Sequence, residues 1–299
     1  MSEDTPSTST TDKAIDHLTK VDAHKKRVEV SQNVIQRALK APEQESFVFR
    51  NTVRFHTVKG HILSSVCRHQ ESVKCSVCAF EHELKLPNLP EMIFADNLFE
   101  IYIPANAEKP FIQFNAYDAL KLVDSKNLPS IMVEASEVWQ KARAESLPKI
   151  PYPFDWTYTS NYCGTVVENA RIEPTSETIN LGKLMQRDPI LFYGAIPLYE
   201  DELADNGCAE MTIKVRVMET NYFILSRFYL RVDRVVVRVQ DCRLYAESSW
   251  NYMLREYTIR EASYANISKE HIHLVTDPAQ IWQHLPLISQ KTEKVFYPV

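Results

Sequence analysis

The chain has 299 residues, 44% hydrophobic and 24% charged, with a formal net charge of −5: a globular composition, with a sizeable core and no general attraction for polyanions. No apolar run approaches the roughly 18 residues of a membrane span, and the N-terminus has no apolar secretory segment. The five glycines are isolated from one another, so neither a dinucleotide fingerprint nor a P-loop, both of which need clustered glycines around a phosphate, is present.

Six cysteines without a signal peptide read as reduced thiols, which sets the expected compartment as the cytoplasm, with the nucleus left open. The first residues are rich in Ser and Thr, and the charged stretch that follows carries only a weak helical stripe at Val30, Val34 and Leu39. Residues 1–46 are therefore expected to be a disordered or weakly helical extension. Within it, Ala41–Ser46 reads as a linker, and residues 47–299 follow as one domain.

The next segment, from Val66 to His82, holds Cys67, Cys75, Cys78 and His82. These are zinc-competent ligands, and Cys75 and Cys78 have a chelating spacing. Val73, Val77, Phe80 and Leu84, however, recur at helical spacing, which turns Cys75, Cys78 and His82 to the other face. On a helix, seven residues rise about 10 Å, too far for one tetrahedral ion to gather three of them. The helix is the favoured reading and the zinc site the alternative.

Further along, Asn115 with Asp118 three residues later predicts a capped helix start, and Ser130–Glu145 has helical periodicity. The stretch Asp155–Tyr162 alternates, with Trp156, Tyr158 and Tyr162 on one face, and predicts a strand. Tyr199–Gly207 reads as a solvated acidic turn or short helix. In Met211–Met218 the apolar Met211, Ile213, Val215 and Val217 alternate with Thr212, Lys214 and Arg216. Phe228–Gln240 predicts a hairpin turning at Asp233-Arg234, and Tyr252–Ile259 another strand. His271 and His273 are placed on one strand face, and Asp277-Pro278 marks a capped helix start. Successive strands without intervening helices predict an α+β, β-rich fold with antiparallel sheets packed sandwich-like and short peripheral helices. The arginines between Met211 and Tyr245 read as the polar side of a half-buried sheet, ahead of a nucleic-acid face. No catalytic constellation appears, no cofactor is expected, and an interaction protein is the class favoured.

Several longer motifs are familiar. Leu86–Asn97 (LPNLPEMIFADN), Phe114–Leu120 (FNAYDAL), Pro153–Thr165 (PFDWTYTSNYCGT), Arg227–Asp233 (RFYLRVD) and Tyr252–Glu261 (YMLREYTIRE) closely resemble the TIP-forty-one-like family of TOR-signalling regulators, in order from about Val53 onward. The resemblance implies a non-enzymatic protein that binds and restrains the catalytic subunit of type 2A-like serine/threonine phosphatases. It implies no nucleic-acid or membrane partner, and it allows a ternary complex with the alpha-four type of regulator. The family's phosphatase-contact positions match Asp118, Ile179, Val239 and Asp241. Beside that stand structural readings: a helix cap for Asp118, core cover for Ile179, core for Val239, and a pair with Arg243 for Asp241. Arg243 and Tyr257 are added as an anion-binding donor and an aromatic wall for a phosphatase tail. Two departures stand out. Relatives usually carry methionine at the Val239 position, and Asp-Gly where this chain has Asp233-Arg234.

Overall fold

A computed structural model describes residues 42–60, 63–64, 76–86, 89–123, 136–143 and 158–298. In chain order the strands are β1 (Glu43–Phe49), β2 (Val53–Lys59), β3 (Leu63–Ser64), β4 (Met92–Ile93), β5 (Leu98–Tyr102), β6 (Ile112–Asn115), β7 (Thr165–Val166), β8 (Ile172–Pro174), β9 (Ile190–Asp201), β10 (Gly207–Met218), β11 (Asn221–Val232), β12 (Val236–Glu247), β13 (Tyr252–Ser263) and β14 (Leu287–Phe296). The helices are α1 (Ser76–Leu84), α2 (Ala116–Lys121), α3 (Glu137–Arg143), α4 (Leu181–Leu184) and α5 (Pro278–Ile281). The smaller sheet runs β1-β2-β5-β6-β7 and the larger β3-β4-β9-β10-β11-β12-β13-β14-β8. The α+β, β-rich expectation holds, with the long β9–β14 strands forming an antiparallel run.

The main core lies between the sheets. Phe55, Phe99 and Phe114 of the smaller sheet and Tyr222, Ile224 and Leu244 of the larger are buried in one cluster. Strand β10 shows how the sequence directs this: Met211, Ile213, Val215 and Val217 point into the core, while Thr212, Lys214 and Arg216 point outward. The central strands β11 and β12 are buried on both faces, because two segments cover the outer face of the larger sheet. Residues 264–285 cover one end, where Val275, Ile281 and Leu285 pack on Tyr229, Val237 and Val239. At the other end Ile179 packs on Tyr245 and Leu254, with Leu184 and Trp250 alongside.

Local signals fared well. Asn115 caps α2 by accepting from the Asp118 amide, and Asp277 caps α5 by accepting from the Ala279 and Gln280 amides, with Pro278 in the first turn. The helix α1 contains the expected stripe residue Phe80, which is buried, and Leu84, which packs against the core. Of the expected 130–145 helix, Glu137–Arg143 is helical, and the remainder lies outside the described residues, as do Val30, Val34, Leu39 and Val73.

Four expectations are corrected. β1 begins at Glu43, inside the stretch read as a linker, because all its residues find ladder partners on β2 despite their exposed polar side chains. Residues 158–164 keep the predicted alternation, with Tyr158, Ser160 and Tyr162 buried, but join no ladder, and Tyr158 adopts φ 54. His271 precedes a short 3-10 turn over Ile272–Leu274 that contains His273, and His271 stacks on His284 at 3.7 Å between ring centroids. The short helix expected in Tyr199–Gly207 forms as a 3-10 turn over Leu203–Asp205, but Asp201 beside it is buried and structural, not solvated. It accepts from the Tyr158 hydroxyl at 2.8 Å, the Leu203 amide at 2.6 Å and the Glu91 amide at 3.1 Å, and burial outweighs these bonds to hold its carboxyl above the usual range. The hairpin at Asp233-Arg234 forms as expected but takes in Val235, with Arg234 at φ 64.

Candidate functional site

Val239, Asp241 and Arg243 alternate along β12 and so share the outer face of the larger sheet. Asp241, 1% exposed, is gripped from two sides. Arg227, opposite it on β11, donates Nε to Oδ1 at 2.7 Å and Nη2 to Oδ2 at 2.8 Å, a bidentate pair, and Arg243 donates Nη2 to Oδ2 at 3.0 Å. Arg243 also donates Nη1 to Glu256 Oε1 at 3.0 Å, and its guanidinium lies 4.5 Å from the centre of the Trp282 ring. The arginines fasten the cover to the sheet. Arg227 donates to the Pro278 carbonyl at 2.8 Å, Arg260 donates to the Leu285 carbonyl at 2.7 Å, and Arg260 also stacks on Trp282. Val239 lies beneath this cover, and Ile179 belongs to the cover at the other end.

Tyr257 pairs with Cys242 in the β12–β13 register, so it lies on the opposite, inner face. Its hydroxyl donates to Asn161 Oδ1 at 2.6 Å and accepts from Gln240 Nε2 at 3.0 Å, and burial raises its pKa above the ordinary tyrosine value. It walls a cavity of about 470 Å³ together with Leu122, Asn161, Cys163, Arg255 and Lys291. Leu122 closes the C-terminal end of α2, whose first turn carries Asp118. One Asp118 oxygen accepts from Asn115 Nδ2 at 3.0 Å and from Thr165 Oγ1 at 2.5 Å. Asp118 lines a second cavity of about 390 Å³, with Phe80, Asp96, Asn97 and Tyr117 on its walls.

The six expected residues therefore fall into two groups. Asp118 and Tyr257 line two separate cavities, that of Asp118 beside the smaller sheet and that of Tyr257 on the inner face of the larger, whereas Ile179, Val239, Asp241 and Arg243 belong to the outer face of the larger sheet. The structural readings of the first four all hold: cap, cover, core and ion pair. Ile179, Val239 and Asp241 are buried in the free chain, while Asp118, Arg243 and Tyr257 are partly exposed. Arg227, which grips Asp241, Trp282, which stacks on Arg243, and Asn161, which orients Tyr257, escaped the sequence reading. Their partners are 14, 39 and 96 residues away, and only a known register would have revealed them.

No group of three or more metal-competent side chains occurs among the described residues. Of the alternative zinc ligands, His82 is exposed on α1, and Cys67, Cys75 and the Cys78 side chain lie outside the described residues. The Arg-rich strands are engaged in ion pairs: Arg227–Asp241, Arg231–Asp233, Arg238–Glu261, Arg243–Glu256 and Arg255–Glu293. Such pairing leaves little of the unneutralised charge that phosphate binding requires. No helix among the described residues is long and apolar enough to cross a membrane.

Comparison with known proteins places this geometry. The TIP41-like family model matches residues 92–268. A TIP41-like protein of Caenorhabditis elegans is 41% identical over 268 residues, covering 88% of this chain and 94% of the relative. The human TIP41-like protein is 39% identical over 221 residues, covering 72% of this chain and 80% of the relative. A Schizosaccharomyces pombe relative, 30% identical over 213 residues and covering 70% and 83% of the two chains, carries the name type 2A phosphatase activator tip41.

Proposed function

Because this chain belongs to the TIP41-like family, we propose that it is a non-enzymatic regulator that binds the catalytic subunit of type 2A-like serine/threonine phosphatases. The observation that carries this reading is the likeness over most of the chain to relatives two of which, in fission and budding yeast, are named type 2A phosphatase activators. Those names and our reading of restraint differ in sign. Restraint follows if the regulator occupies the active-site side of the subunit or keeps it from assembling into holoenzymes. A regulator that delivers the subunit to such assemblies would instead register as an activator.

Asp118, Tyr257 and Arg243 are the proposed direct contacts, being partly exposed beside a cavity or on the open part of the sheet. Val239 and Asp241 support the surface from beneath, and Ile179 pins the covering segment to the sheet; none reaches a partner unless a cover shifts. In particular, Asp241 acts through Arg243. Residues before β1 form an extension outside the phosphatase-binding domain. The protein acts in TOR-linked signalling in the cytoplasm, with the nucleus as a second compartment, and shares the subunit with an alpha-four type regulator in a ternary complex.

The test is a binding titration of the chain against a type 2A catalytic subunit, with phosphopeptide hydrolysis measured across the same titration. Binding with falling hydrolysis supports restraint, and binding with rising hydrolysis supports activation and overturns that part of the reading. No binding overturns the whole. An Asp118→Leu/Asp241→Asn double variant, checked for folding by circular dichroism, should bind more weakly. Unchanged affinity would remove these residues from the site while leaving the partner intact.

A further inference from the structure

We propose that Cys163 and Cys242 are a peroxide-sensitive dithiol that closes to a disulfide beside the Tyr257 cavity. The two cysteines are 79 residues apart and meet because residues 158–164 lie along the inner face of β12. Three contacts set that course. Arg238 Nη1 donates to Thr159 Oγ1 at 3.4 Å, the Tyr257 hydroxyl donates to Asn161 Oδ1, and the Cys242 thiol donates to the Cys163 carbonyl at 4.0 Å.

Their surroundings divide the labour. Cys163 is half-buried and lines the cavity of about 470 Å³ along with Arg255, Lys291 and Glu293. Glu293 pairs with both cations on that wall, and Cys163 is the sulfur of the two that a small oxidant in the cavity can reach. Cys242 is 1% exposed, and burial, with the neighbouring Cys163 adding to it, holds its thiol protonated well above the ordinary range. Cys163 is thus the attacking sulfur and Cys242 the resolving one.

In the first step the Cys163 thiolate attacks one oxygen of a peroxide. The O–O bond breaks, an S–O bond forms, and the departing alkoxide or hydroxide takes up a proton. Sulfur is oxidised by two electrons to a sulfenic acid, and the peroxide is reduced. In the second step the Cys242 sulfur attacks the Cys163 sulfur. The S–S bond forms as the S–O bond breaks, and the leaving hydroxide takes the proton that Cys242 gives up. The sum is two thiols and one peroxide giving a disulfide, an alcohol or water, and one further water. A disulfide needs its Cβ atoms about 3.8 Å apart, so one partner must move. Cys163 is the one placed to do so, since residues 158–164 are held by side-chain contacts and join no ladder, whereas Cys242 is fixed in the middle of β12. Closure would draw Cys163 and Asn161 toward β12 and reshape the wall that Tyr257 presents. An effect on phosphatase binding rests on the function proposed above, but the cross-link does not.

The experiment treats the reduced full chain with hydrogen peroxide, alkylates the remaining thiols and maps peptides by mass spectrometry. The expected product is a Cys163–Cys242 linked pair, two hydrogens lighter and reversed by dithiothreitol, with Cys208 alkylated. Cys208 is the internal control: burial pushes its thiol up to about 11. In Cys242→Ser, Cys163 should stop at a dimedone-trappable sulfenic acid, and in Cys163→Ser, Cys242 should stay reduced. Cys163 running on to a sulfinic acid in the wild type, or linking to another cysteine, overturns the proposal. Titrating oxidised and reduced protein against the phosphatase subunit then measures the consequence, expected as a ~tenfold change in affinity. If the reduced protein fails to bind, the phosphatase reading falls while the mass map still decides the dithiol.

Discussion

Two arginines hold the Asp241 carboxylate in a place water does not reach, and that arrangement decides what a substitution there will do. Removing one partner of a buried pair leaves the other charge uncompensated, so Asp241→Asn should lower stability by about 3 kcal/mol in urea denaturation. Loss of phosphatase binding in that variant would count as loss of the surface that Asp241 supports only at a temperature where circular dichroism shows the variant still folded. Arg234 offers the opposite case. Its φ of 64 places a side-chain-bearing residue in the left-handed region at the β11–β12 turn, which glycine adopts at no steric cost. Arg234→Gly should therefore raise stability, by roughly 0.5–1 kcal/mol, read as a higher denaturation midpoint. The sequence showed some of these residues clearly and others not at all. Asn115 with Asp118 and Asp277 with Pro278 are local caps, set by residues within one turn, and were legible. The Arg227–Asp241 pair was not, because it depends on a cross-strand register that only the folded sheet defines.

At the level of elements, alternation in β10 was readable because one face meets the core throughout. The same period in residues 158–164 was misleading, since burial of Tyr158, Ser160 and Tyr162 satisfies it without a ladder partner. Register also brings together groups that a strand-by-strand reading keeps apart. Glu200 on β9 lies directly opposite Glu210 on β10. Burial raises both carboxyls above 4.5, and for Glu210 the Glu200 charge adds to the rise, against partial relief from Lys214 and Arg227. A carboxyl raised in the folded state contributes stability when protonated, below its unfolded value near 4.5, and that contribution is lost as pH rises through the folded value. At neutral pH the pair is thus a cost. Glu210→Gln should stabilise by about 0.5 kcal/mol at pH 7, the scale of like charges facing across strands, and the gain should vanish below about pH 4. Thermal melts of both proteins at the two pH values test this, and an equal gain at both would mean that charge repulsion is not the cause.

For the whole molecule, the larger sheet separates the two groups of proposed contact residues. Leu122 and Tyr257 line the cleft on the inner face of the larger sheet, and Arg243 stands on the far face between the two covering segments. A complex burying about 1,600 Å² uses some 20–30 residues on each side, enough to reach around a sheet edge but not through it. If one catalytic subunit engages both surfaces, it must do so with separate parts, an extended segment in the cleft and a folded surface outside. Contacts made by separate parts with no shared neighbours add nearly independently. Leu122 is 55% exposed, so Leu122→Asp alters the cleft without disturbing the core. Combined with Arg243→Gln, its cost in binding free energy should equal the sum of the single costs within about 0.5 kcal/mol. A loss from Leu122→Asp alone, with Arg243→Gln neutral, would confine the partner to the cleft and leave the outer arginine lattice a structural role in fastening the cover. The reverse result would place the interface on the outer face, and the Tyr257 cavity would then need another occupant.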